Sequence, residues 1–444
     1  MANDARPQGG RDGAVREKKG PDAPASPSPA LESAEPSNQP DSTPYGGERL
    51  WLIVLCSHFV VMNTWGFINS FGAIQTYLTE SLQRRPSEIS WIGSIQVFLL
   101  FFMGTFTGRF TDAGYFGPIF ITGIVSMVAG ILSSSFCSQY WQYFLSLGIA
   151  VGFANGCLFC PMLTVMSAYF TKNRSFAIGL ASCGSATGGI VYPVIARQLI
   201  PSIGFPWAMR AMTLVQLVLL VVSAAILRPR TQVKQSGSFI DRAAFQELSY
   251  SFYAIGSFFC LLSLYFSFFY LSSFSRTAIH PSFSYSDSLN LLLLLNGIGV
   301  LGRVAVSYLA DRMGVINVFI LTAAAASLIL FLWTTVHDFV GTYIWAVFCG
   351  TASGAVQSLF PAGLTFLAMH DTKLGTRIGM VFTIVAFASL VCPPIGGSII
   401  RAMGGRYLGA QLFAGSTMLL CTCFMVAVRA AMSKKRSDVV KPVS

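Results

Sequence analysis

Two ionisable side chains stand well inside the long apolar runs of this 444-residue chain, Arg303 and His58, and no Asp or Glu lies deep in any run. A charge taken out of water is costly, so a group kept there is a candidate for chemistry. Arg303 offers a planar fork of N–H donors suited to a carboxylate. Its plainer alternatives are snorkelling to the nearer interface, or a structural pair with Asp311 two turns further on. His58 titrates near neutral pH and is the candidate for proton coupling; otherwise it is a hydrogen-bonded packing residue. Two further acids sit at the ends of apolar runs in a repeated stretch. The first copy is Gly108-Arg109-Phe110-Thr111-Asp112-Ala113-Gly114 and the second is Ser307-Tyr308-Leu309-Ala310-Asp311-Arg312-Met313-Gly314. In each, a small residue four before the Asp lets two helices approach, and the Gly turns the chain back. Each Asp can accept from backbone N–H groups at a neighbouring helix end, where its charge is favoured. Gly108, Arg109, Asp112, Asp311 and Arg312 therefore read as gating residues. Cys157-x-x-Cys160 and Cys421-x-Cys423 have metal-like spacing but no His or acidic partners nearby, so they read as buried small hydrophobes and no metal site is expected.

The elements that must position these residues follow from composition. The chain is 53% hydrophobic and 11% charged, against about a quarter charged in ordinary globular proteins, so it is a polytopic membrane protein. Twelve apolar runs are each near the ~20 residues that span a bilayer. They fall near 50–78, 89–110, 117–137, 141–169, 175–199 and 207–228, then near 250–273, 287–310, 316–335, 339–369, 374–400 and 408–430. This predicts an all-α membrane protein with two six-helix pseudo-symmetric bundles, 45–228 and 250–430, joined by a cytoplasmic linker, 229–249. Residues 1–44 are Pro-, Ser- and charge-rich and are expected to be a disordered cytoplasmic tail, with a second tail at 431–444. The net charge of +11 does not point to nucleic acid, because the basic residues form no continuous face. They report orientation instead. Arg84, Arg85, Arg197, Arg210, Arg276, Arg401 and Arg406 fall on one side and 21 of the 29 Lys and Arg on the other, which predicts cytoplasmic termini. The halves echo each other beyond the loop. Gly152-x-x-x-Gly156 before Pro161 matches Gly350-x-x-x-Gly354 before Pro361. Gly184, Gly188, Gly189 and Pro193 are echoed by Pro393-Pro394-Ile395-Gly396-Gly397.

With those residues placed, the chain resembles the major facilitator superfamily, whose loops between helices 2 and 3 and between helices 8 and 9 carry the repeated signature. Within it, several stretches are similar to the monocarboxylate porter family, closest to the fungal branch. Gly46-Gly47-Glu48-Arg49-Leu50-Trp51 resembles that family's segment leading into helix 1, with Tyr45 where an Asp is usual. The run Gly179 to Pro193 resembles its helix 5 signature, Gly204 to Arg210 the approach to helix 6, and Asn296-Gly297-Ile298-Gly299 with Gly302-Arg303 its helix 8. The resemblance implies that Arg303 meets a substrate carboxylate. It also marks two departures: Gly299 stands where mammalian members have a coupling Asp, and Asn69 where they have a Lys. In this fold helices 1, 4, 7 and 10 line the cavity, which brings forward Asn63, Asn69, Gln75, Asn155, Tyr265, Tyr270 and Gln357, with Asn296 from helix 8. Any one of them serves as readily in helix–helix packing as in binding. Together, with Trp65, Phe159 and Phe360 as apolar walls, they suit an amphipathic or aromatic molecule better than a highly charged one.

What this implies is a carrier of a small organic molecule, carboxylate-like or a secondary metabolite, working by alternating access at the plasma membrane, with an exporter linked to a fungal biosynthetic gene cluster as one form of it. A non-transporting nutrient sensor of the same fold is the alternative. An enzyme would need a convergent nucleophile, acid–base pair or metal, and the sequence offers none. No cofactor is expected, and the partners are a small amphipathic or anionic substrate and the lipid bilayer.

Overall fold

In a computed structural model, residues 47–440 are described apart from 171–172, 229–239, 281–282 and 369–372. The expected tail 1–44 and the greater part of the linker lie outside the described residues. Twelve helices are long and apolar enough to cross a membrane, and the described residues contain no strand. Helices 1 to 6 are Glu48–Leu82, Glu88–Asp112, Phe116–Ser134, Tyr140–Tyr169, Arg174–Ile203 and Phe205–Ile226. Helices 7 to 12 are Leu248–Thr277, Asn290–Met313, Val315–Thr335, Phe339–Ala368, Leu374–Ala402 and Leu408–Lys434. The apolar runs of the sequence fall on these twelve in order. Because the number is even, helix 1 begins and helix 12 ends on one face, called proximal; the opposite face is distal.

Small residues set the helix crossings. Gly152 and Gly156 of helix 4 press against Gln96, Leu99 and Met103 of helix 2. Their counterparts Gly350 and Gly354 of helix 10 press against Leu295 and Gly299 of helix 8, where a Cβ on Gly354 would come within 2.8 Å of the Gly299 Cα. Gly184 and Gly188 lay helix 5 against His58, Met62 and Gly66 of helix 1. The two loop glycines do what the sequence asks of them: Gly114 and Gly314 adopt φ of 89° and 88°, the left-handed region that a side chain disfavours, and each reverses the chain after its Asp. Helices 1 and 4 each contain a wide π-type turn, Met62–Gly66 and Phe144–Ala150. Such a turn inserts extra residues and swings the side chains beyond it round the helix axis.

Candidate functional site

A cavity of about 990 Å³ occupies the centre of the molecule between the two six-helix halves. It reaches the distal face, where Thr79 and Glu80 of helix 1 and Arg276 and Thr277 of helix 7 form its rim. Toward the proximal face it narrows onto aromatic rings. Phe101 of helix 2, Phe159 of helix 4 and Phe360 of helix 10 line its floor. Phe382 of helix 11 lies beneath, with ring centres 5.3, 5.6 and 5.8 Å from those three.

Below this floor the proximal face is closed by the two repeated aspartates. Asp112 accepts from the Gly375 N–H at 2.8 Å, the Thr376 N–H at 2.7 Å and the Thr376 hydroxyl at 2.8 Å. Asp311 accepts from the Ser175 and Phe176 N–H groups at 2.9 and 2.8 Å. Each carboxylate thus crosses to the first turn of a helix in the other half, helix 11 or helix 5. There the backbone N–H groups have no helical partner and the helix dipole favours a negative charge. Thr105 adds a bond across the same seam, donating to the Gly379 carbonyl at 3.0 Å and lying 2.6 Å from the Thr383 hydroxyl. Arg109 is buried one turn before Asp112, and Arg312 lies over the Tyr308 ring at 4.4 Å.

The polar side of the cavity joins residues that the sequence singled out. Asn69 of helix 1 donates to Asn296 of helix 8 and to the Ser185 carbonyl, each at 3.4 Å. Gln357 of helix 10 lines the wall beside them and accepts from Arg303 at 2.8 Å. Arg303 itself is 1% exposed and does not line the cavity. It neither snorkels nor pairs with Asp311, and its Nε and Nη1 meet no acceptor among the described residues. A Cβ on Gly299 would lie 2.8 Å from Nη1, so an acid at that position would stand beside the guanidinium. Trp65, Phe159, Phe360, Gln75 and Tyr265 line the cavity as well.

Asn155 and Tyr270 are placed elsewhere. Asn155 is fully buried, and the Tyr270 hydroxyl donates to the Pro393 carbonyl at 2.6 Å, tying helix 7 to helix 11. Asn63 is also buried, receiving the Tyr192 hydroxyl at 2.7 Å. His58 lies 3.2 Å from the Leu180 carbonyl, in the packing of helix 1 on helix 5.

One polar cluster was not foreseen. Asp241, just before a short helix, Arg242–Gln246, accepts from Arg377 at 3.0 Å and from Lys373 at 3.3 Å. Glu247 meets Arg377 at 3.0 Å. Burial works to raise the pKa of Asp241, but the hydrogen bonds and charges of Arg377 and Lys373 outweigh it and hold the carboxyl below its usual value. The segment before helix 7 is thereby fastened to the first turn of helix 11, next to the residues that receive Asp112. The only sign in the sequence was a pair of acids, Asp241 and Glu247, in an otherwise basic connection.

Two matched sets of six helices, a central cavity open to one face and a closure built from helix-end contacts define a membrane carrier. A profile of the Major Facilitator Superfamily matches residues 50–371, and the chain belongs to that family. It is 45% identical over 407 residues to an MFS-type transporter of Gibberella zeae, covering 91% of this chain and 92% of that one. It is 30% identical over 390 residues to the aspyridones efflux protein of Emericella nidulans, covering 86% and 79%. Among solved structures, the transporter FucP in its outward conformation superposes with a TM-score of 0.68 at 15% identity, covering 85% of this chain and 98% of that one, a likeness of fold alone.

Proposed function

We propose that this chain carries a small amphipathic or anionic organic molecule out of the cell across the plasma membrane, with both termini in the cytoplasm. One observation carries the reading: a cavity of about 990 Å³ between the halves is open at the distal face and closed at the proximal face by Asp112 and Asp311. Binding at the interface of two repeats that rock about it is how such folds move a substrate. The basic residues of the proximal loops favour a cytoplasmic proximal face. In this reading 45–228 and 250–430 are the rocking bundles and 229–249 links them. The outward direction is supported by the relative named as an efflux protein. Kinship with the monocarboxylate porters is supported by the helix 5 and helix 8 stretches. That kinship implies contact between Arg303 and a substrate carboxylate, but Arg303 stands behind the wall, and the role we give it is presenting Gln357: with its oxygen held by the guanidinium, Gln357 has its N–H groups left for a substrate oxygen. Asn69 and Asn296 stand beside it as further contacts.

The test begins with profiling of culture medium and cell extracts from deletion and complemented strains. A small molecule that leaves the medium and builds up in the cells on deletion supports export, and identical distributions overturn it. With that molecule in reconstituted vesicles, Arg303→Ala should weaken transport of an anion roughly tenfold to a hundredfold, the scale of a lost charge-assisted contact of ~1.5–3 kcal/mol. Arg303→Lys should restore it only in part, because lysine keeps the charge without the fork. Normal flux in Arg303→Ala sinks the role given to this residue. With no acid at position 299, flux should respond little to an imposed pH gradient; accumulation driven by pH alone in His58→Ala defeats that expectation.

A further inference from the structure

One enclosed hydrogen-bond donor of the cavity wall, apart from the Gln357 amide, is left unpaired by the protein. The Tyr265 phenol of helix 7 is on the cavity wall, the residue is 7% exposed, and its hydroxyl has no partner among the described residues. Leaving a buried donor unpaired is unfavourable, so such a group is matched to something that enters. Its ring faces Trp65 of helix 1, which belongs to the opposite half. The two ring planes lie 17° from parallel with centres 6.4 Å apart. That is far looser than the stack of Tyr77 on Phe205, where the centres are 4.5 Å apart at 2°. Trp65 is braced by the edges of Phe101 and Phe159, at 5.4 and 5.8 Å, and Tyr265 by Phe269 at 6.1 Å. Each ring thus rests against neighbours of its own half, and the separation of the halves bears on the gap between them.

We propose that Trp65 and Tyr265 form a slot for a flat, conjugated ring, with the Tyr265 hydroxyl donating to a carbonyl carried by that ring. This rests on the transport reading and names the substrate class for it. Optimal carbon–carbon contact lies at about 3.5–4.0 Å, so a ring held on both faces needs walls about 7–8 Å apart. A small parting of the halves admits it, and a puckered ring of the same size does not fit. Because the walls belong to different halves, the ring also joins them, which couples its binding to their rocking.

The experiment measures binding to the purified full chain by titration calorimetry with three probes: 7-hydroxycoumarin, which is flat with a ring carbonyl; 2-naphthol, which is flat without one; and octahydrocoumarin, which has the carbonyl on a puckered frame. The expected order is coumarin, naphthol, octahydrocoumarin. Trp65→Ala should weaken both flat probes by about tenfold, and Trp65→Phe should restore most of that. Tyr265→Phe should weaken 7-hydroxycoumarin by about threefold to tenfold and leave 2-naphthol unchanged, a pattern that mere loosening of the fold does not produce. Equal affinity for flat and puckered probes, equal loss of all three in Tyr265→Phe, or no binding of either flat probe overturns the slot. The readout is at equilibrium, so it decides the slot whether or not flux is found; absence of any flux counts against the transport reading alone.

Discussion

The two proximal closures come from the same repeated stretch, yet they are built differently. On one side helix 2 crosses helix 11 backbone to backbone. A Cβ on Gly108 would overlap the Gly375 carbonyl, and one on Gly379 would overlap that of Gly104. Asp112 is half-buried there, takes three hydrogen bonds, and shares its helix end with the Arg377 cluster. On the other side Asp311 is exposed and takes two bonds, and its neighbour Arg174 donates to the Phe170 and Thr365 carbonyls at 2.7 and 3.3 Å. Counting back eight residues from each Asp reaches Gly104 in the first copy and Arg303 in the second. Where one crossing has no side chain, the other holds a guanidinium that reaches Gln357 in the cavity wall. The closure is built twice: one copy is a glycine-on-glycine seam, and in the other the Ser307 side chain packs on Gly179 while Arg303 holds a polar group of the cavity wall.

That contrast can be broken by filling the seam. Gly108→Val drives a side chain into the Gly375 carbonyl and should cost about 3 kcal/mol in the proximally closed state. Cysteine labelling from the proximal side should rise strongly, while Ser307→Val should change it much less. Equal effects at the two sites would show that the crossings are interchangeable.

Removing charge comes next. Asp112→Asn should cost the closed state about 2 kcal/mol, roughly thirtyfold in its population, because charge-assisted bonds to half-buried donors are lost. Asp311→Asn should cost under about 1 kcal/mol at its exposed site. Transport at matched surface level reads both, and a larger loss in Asp311→Asn reverses the assignment of the tight seam.

The Arg377 cluster predicts a pH dependence on one side only. The Asp241 carboxyl is held below its usual value, so its contribution is complete above about pH 4, the ordinary range for an unfolded Asp. It is lost as the pH falls through the lower folded value. Proteolysis at Arg242 should therefore stay slow at neutral pH and quicken only in acid. Asp241→Asn should make it fast at every pH, and an unchanged profile in that variant removes the cluster from the account.

The smallest effect is expected from Thr376→Val, which leaves Asp112 with two bonds, as Asp311 has. It should cost about 0.5–1.5 kcal/mol. Labelling that matches the parent would mean that the hydroxyl adds nothing to the seam.

Much of this was legible because it is local or duplicated. The helix-crossing glycines, the loop turns at Gly114 and Gly314, and the aspartates at helix ends each follow from residue type and spacing. Asn69, Asn296 and Gln357 come together because each sits on a helix that faces the other half. What escaped is what sequence separation hides. Asp241 and Arg377 are 136 residues apart, and no local pattern joins them. Asn155 was expected in the cavity because helix 4 lines it, but knowing the helix does not say which of its side chains face inward, and this one is buried in the packing while Phe159 reaches the cavity. Arg303 was found by its charge, but its place behind Gln357 depends on the crossing of helices 8 and 10, which spacing does not report.

The floor of three phenylalanines on a fourth has a consequence for leakage. Ring contacts are less directional than hydrogen bonds, so the rings of Phe101, Phe159, Phe360 and Phe382 can slide past one another while staying in touch. The hydrogen bonds of Asp112 and Asp311 below the floor must break outright for the proximal face to part. A greasy gasket beneath the cargo gives way gradually instead, keeping water and small ions from following the cargo through and leaving the electrical insulation of the bilayer intact at each turnover.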